Sequence, residues 1–152
     1  MTNLEKVMIG NWLNYANAFE KAIDNREWTQ VIDCFHPEGT YTRFSDDERL
    51  HTPQVNGNKN VAANFEGSVE SFDRRFTSRN IRSVKLDCTG DFDLNHHFLI
   101  IYKADGLPDF EFSGYENYVF DNQGLIVSLE EVIAPGVGTK LIEWLMHHGA
   151  KL

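Results

Sequence analysis

The feature that most constrains this chain is a change of period. Up to residue 76 most apolar residues recur every three or four positions, and from residue 81 they recur every two. The first spacing is that of helices lying on a core. The second is that of strands with one face buried. Leu4, Val7, Met8, Trp12, Tyr15, Phe19 and Ile23 predict an amphipathic helix over residues 4–24. Trp28, Val31, Ile32 and Phe35 predict a shorter second one, stopped by the turn residues His36-Pro37-Glu38-Gly39. A strand follows from Thr40, then a polar loop over 46–60 with room for a short strand. Asn60 is placed to cap a third helix whose face carries Phe65, Val69, Phe72 and Phe76.

Beyond residue 81 come Val84-Leu86-Cys88, the run Phe98–Tyr102, then FEFSGYENYVF (110–120), the turn DNQG and LIVSLEEVI (125–133). Turn residues between successive strands predict an antiparallel meander. A final amphipathic helix over 138–148 carries Leu141, Trp144, Leu145 and His148. Helices first and a long meander last make an α+β domain. A curved sheet wrapped on the N-terminal helices leaves a cone-shaped interior, a natural small-molecule pocket. The final helix, turned back through its flanking glycines, is expected to cap the mouth of that pocket.

Composition narrows the function. A formal charge of -9 with no concentrated basic patch argues against nucleic-acid binding. No apolar run approaches the ~20 residues that span a bilayer, and the N-terminus has no signal-peptide core. A cytoplasmic protein is expected. Cys34 and Cys88 are far apart and are read as buried thiols. No histidine pair has metal-ligand spacing, so neither a metal nor a cofactor is predicted.

The order helix, helix, CFHPEGTYTRF, GNKNVAANF helix, and a meander ending YENYVFDNQGLIVSLEEVI resembles the nuclear transport factor 2-like superfamily, in its SnoaL-like and ketosteroid-isomerase-like branches. The resemblance implies a single SnoaL-like domain over 1–152, with a cystatin-like α+β barrel and an extra C-terminal helix. It places Arg43 where ketosteroid isomerases carry their base and Phe19 where they carry an oxyanion tyrosine. Glu116 matches their protonated acid. Glu131 matches the acidic position of the SnoaL-like final strand.

The residues support an acidic site independently. Phe110, Phe112, Gly114, Glu116, Tyr118 and Phe120 share one strand face, so Glu116 points into an apolar interior. Leu129, Glu131 and Ile133 share the corresponding face of the last strand. If DNQG pairs Phe120 with Leu125, Glu131 opposes Gly114 and sits diagonal to Glu116. Two buried carboxylates push each other's pKa apart, giving one base and one acid. The expected site has Glu131 as base and Glu116 as neutral donor. Arg43, Tyr41, Tyr118, His97, Phe112 and Phe72 form the binding wall. One of His96 and His97 faces inward; parity leaves open which, because both alternate with apolar neighbours.

The expected ligand is small, largely apolar and carbonyl-containing. The expected chemistry is cofactor-free isomerisation, dehydration or cyclisation by proton transfer. A non-catalytic ligand-binding or protein-interaction module on the same fold is the alternative. An apolar outer sheet face of Tyr115, Val119, Ile126 and Val132 points to a homodimer.

Overall fold

The computed structural model describes Met1–Leu152. In chain order the elements are α1 (Asn3–Asn25), α2 (Thr29–Asp33), β1 (Phe35–Phe44), β2 (Thr52–Asn56), α3 (Asn58–Ser71), β3 (Ser78–Cys88), β4 (Asp93–Lys103), β5 (Phe110–Phe120), β6 (Ile126–Ile133) and α4 (Val137–His148). The sheet has six strands in the order β2-β1-β6-β5-β4-β3. Its strands are antiparallel except that β1 runs parallel to β6. It is a curved, unclosed sheet with β2 and β3 at its edges, and the class is α+β with a C-terminal helix, as the pattern predicts. No helix is long and apolar enough to cross a membrane.

α1 starts on a capping box: Thr2 Oγ1 accepts from the Glu5 N–H, and the Glu5 carboxylate accepts from the Thr2 N–H. Its buried face, Met8, Trp12, Tyr15, Ala18 and Ala22, lies against the concave side of the sheet. With Phe65 and Val69 of α3 and Tyr118, Ile126 and Leu129 of the sheet it makes the main core. Burying each large side chain there stabilises the fold by roughly 2 kcal/mol.

Four local expectations change. His36–Gly39 does not end the segment; it lies inside β1 as an irregularity, because the pairing with β6 jumps from Phe35↔Ile126 to Thr40↔Ser128. Gly39 is required there by close approach, since a Cβ would stand 2.8 Å from the Ile126 carbonyl oxygen. Asn60 is not a cap: α3 starts after Gly57, and Asn60 Nδ2 donates to the Asn56 carbonyl at 2.9 Å.

The β5–β6 register is displaced by two residues from the expected one. Asp121 Oδ1 accepts from the N–H groups of Gln123 and Leu125, tightening the turn, and an extra residue bulges at Val127. Glu116 therefore faces Glu131 directly and Gly114 faces Ile133. A two-residue slide keeps every side chain on its face, which is why the inward assignment survives it. The bulge itself reverses parity at the strand start, so Ile126 is fully buried in the core rather than on the outer face.

The last difference concerns α4. No α4 residue lines the interior cavity. Leu141, Trp144 and Leu145 pack instead on a second apolar cluster with Phe76, Phe98, Ile100, Tyr102 and Phe110. That cluster gives the helix an apolar seat of its own, with Leu141 buried and Trp144 and Leu145 half-buried against it. Both cysteines are free, Cys34 buried and Cys88 half-buried.

Candidate active site

A cavity of about 210 Å³ lies between α1, α3 and the concave face of the sheet. Trp12 and Tyr15 of α1, Phe65 and Val69 of α3, and Phe98, Phe112 and Leu129 of the sheet make its apolar wall. Asn17 on α1 and Ile81 and Ser83 on β3 also line it and are exposed, so it opens between α1 and the edge strand β3.

Glu116 and Glu131 face each other across β5 and β6, and both line this cavity. Their partners differ. Glu116 Oε2 accepts the Tyr118 hydroxyl at 2.5 Å and lies 3.0 Å from His96 Nδ1. The other ring nitrogen of His96, Nε2, lies 2.9 Å from Ser83 Oγ. His96 is only 3% exposed, and its ring packs under Trp12 with centroids 4.7 Å apart. The Trp12 indole N–H is buried and has no hydrogen-bond partner of good geometry. Burial, and then the Glu116 charge, push the Tyr118 hydroxyl well above its ordinary range, so it stays protonated.

Glu131 accepts from Arg43 Nε at 2.9 Å and has a long contact of 3.5 Å to the Tyr41 hydroxyl. The parallel β1–β6 pairing puts Arg43 beside Glu131. Burial raises the Glu131 pKa above the ordinary carboxylate range. Arg43 opposes the rise and the Glu116 charge adds to it. Burial alone would weaken Arg43 as a base, but the neighbouring carboxylate more than compensates, so the guanidinium stays charged. The result is one cation for two carboxylates, spent on Glu131 alone.

A second polar group borders the cavity. Arg79 Nη1 donates to both Glu20 oxygens at 2.8 and 3.0 Å. Its Nε stands 3.0 Å from Asp73 Oδ1, an ion pair whose N–H is poorly aligned. Asp73 also accepts the Tyr102 hydroxyl at 2.8 Å.

Of the residues expected at the site, Glu116, Glu131, Arg43, Tyr41, Tyr118 and Phe112 line the cavity. Two do not. His97 is exposed on the outer face, where it stacks on Tyr115 with centroids 5.6 Å apart. Phe72 belongs to the second cluster, against Phe76 and Tyr102. The histidine at the site is His96. Trp12, Tyr15 and Ser83 also enter it without having been singled out as lining. Nothing local marks Ser83, which lies on a half-polar edge strand. Trp12 was legible only as one more core position of α1.

No family model matches the chain, and no curated protein matches it. Solved structures do. A BvnE pinacolase from Penicillium brevicompactum superposes with a TM-score of 0.71 at 11% identity, covering 97% of this chain and 96% of that one. An NTF2-like protein from Anabaena variabilis gives 0.63 at 14% identity, covering 88% and 94%. A Mycobacterium tuberculosis protein in complex with estradiol-17β-hemisuccinate gives 0.54 at 11% identity, covering 78% and 90%. The chain has the NTF2-like, cystatin-like fold.

Proposed function

We propose that the protein is a cofactor-free acid/base enzyme that moves a proton next to the carbonyl of a small, largely apolar ligand. The observation that carries this reading is the in-register pair Glu116–Glu131 inside an apolar cavity, each with a different set of partners. Glu131 is the base: burial lifts its pKa toward the pH at which it works, and Arg43 keeps it ionised and aimed. Glu116, within hydrogen-bond distance of His96 and Tyr118, supplies the acid side. Isomerisation, dehydration and cyclisation all fit this arrangement. The likeness in fold to a pinacolase and to a steroid-bound protein supports a ligand of that size and apolarity.

The test is exchange of the α-protons of 2-tetralone in D₂O, followed by proton NMR. The wild type should accelerate exchange and Glu131→Gln should lose at least about 100-fold of it, the usual share of a general base. Equal exchange in both would remove Glu131 from the role. The rate should rise with pH through a value above the ordinary carboxylate range, because Glu131 must lose its proton to act. One observation favours a binding module instead: the Arg43–Glu131 pair is already closed, as in a purely structural ion pair. Ligand binding with no exchange at any pH is its signature.

We also propose a homodimer through the outer sheet face, where Tyr115, Val119 and Val132 lie and Val84 is 62% exposed. Sedimentation at micromolar concentration should give twice the monomer mass; a monomer would end this proposal.

A further inference from the structure

Ser83, His96 and Glu116 stand in line. Glu116 Oε2 is 3.0 Å from His96 Nδ1, and His96 Nε2 is 2.9 Å from Ser83 Oγ. The tautomer follows from the donors. Glu116 Oε2 already accepts the Tyr118 hydroxyl, and this arrangement takes Glu116 in its ionised form, which has no proton to give, where the proton-transfer reading takes the neutral one. In the neutral ring, Nδ1 must then carry the hydrogen and donate it to Glu116. Nε2 is left as the acceptor, so the Ser83 hydroxyl donates to it.

We propose that Ser83 is a nucleophile activated by His96 and Glu116, and that the cavity hydrolyses small carboxylic esters with an apolar body. This goes beyond the proton-transfer reading; it shares Glu116 with it and uses neither Glu131 nor Arg43. Acid, base and hydroxyl in this order are the arrangement that recurs on unrelated folds for acyl transfer, where it is recognised by geometry rather than by sequence.

The local structure serves the arrangement. β3 and β4 slip register between Ser83↔Phe98 and Lys85↔His97, which makes Val84 an extra, bulged residue that is 62% exposed. The bulge keeps Ser83 on the cavity side together with Leu86 beyond it. Ser83 is exposed at the opening while His96 is buried beneath Trp12. A ligand can therefore reach the hydroxyl from the opening.

The steps balance without another reagent. Ser83 Oγ bonds to the ester carbonyl carbon as its proton passes to His96 Nε2. The carbon–oxygen bond to the alcohol breaks, and the alcohol leaves with that proton. Water then attacks the acyl-serine, giving its proton to Nε2. The Ser83–acyl bond breaks, the acid departs and the serine is restored.

The test is a fluorophosphonate probe, with the modified peptide identified by mass spectrometry, beside hydrolysis of p-nitrophenyl butyrate. The wild type should carry one adduct, on Ser83. Ser83→Ala, a change at an exposed strand position that leaves the fold in place, should carry none. His96→Gln should slow hydrolysis by at least about 100-fold. No adduct, an adduct on another residue, or undiminished hydrolysis in Ser83→Ala would overturn the proposal. α-Proton exchange on the same wild-type preparation separates the two readings. Exchange without a Ser83 adduct ends this one alone, and a Ser83 adduct without exchange ends the proton-transfer one alone.

Discussion

Two polar groups border one cavity, and each has a single arginine and two carboxylates. Around Arg79, both carboxylates lie against the cation, which ties α1 through Glu20 and the turn after α3 through Asp73 to β3. Around Arg43, only Glu131 touches the cation, and Glu116 is served by the neutral hydroxyl of Tyr118 and by a histidine. The first group joins three elements and leaves no carboxylate without a charge partner. The second joins adjacent strands that the sheet already holds together. It leaves Glu116 without an arginine of its own. The same composition thus makes a clasp in one place and the proposed reactive centre in the other, and the deciding variable is how the positive charge is shared.

The comparison breaks most visibly at Arg79. Arg79→Ala should cost about 3 kcal/mol, because Asp73 is left largely buried beside an uncompensated Glu20. Urea unfolding reads this, and a loss below about 1 kcal/mol would mean that the group is not a clasp.

The next effect is one of pH. Glu131 has a folded pKa above its unfolded value, so the folded state holds its proton longer. Its contribution is most favourable below the ordinary carboxylate range. It falls as pH rises from there to the raised folded value, and is constant above. Urea midpoints for wild type minus Glu131→Gln should decline across that window. A difference that rises with pH would reverse the assignment. The smallest effect compares two hydroxyls: Tyr102→Phe and Tyr118→Phe should each cost about 1 kcal/mol. Only the second should alter chemistry at Glu116.

Much of this was legible in the sequence. The period change at residue 81 marked where the helices α1 and α3 give way to the β3–β6 meander. Two-residue alternation placed Glu116 and Glu131 inward because parity tolerates an even slip of register. The bulge at Val127 was not legible. It follows from how the Asp121 carboxylate binds two backbone N–H groups, and without it neither the direct facing of the glutamates nor the burial of Ile126 could be read. His96 and His97 could not be told apart because the strand has apolar residues on both faces. α4 was misplaced because an apolar stripe says that it needs cover but not where the cover lies.

The parallel pairing of β1 with β6 has a consequence for synthesis. Arg43 and Glu131 are adjacent in space but separated by most of the chain. During translation Arg43 emerges early and has no partner until the last strand has left the ribosome. The cavity wall therefore closes late, by a long-range contact whose ordering cost falls on the slow part of folding. Until then β1 presents one of its edges unpaired. An interrupted chain ending before residue 126 would keep α1 and the β3–β5 meander yet have no centre for the sheet, which makes it a ready substrate for aggregation or proteolysis rather than a smaller working protein.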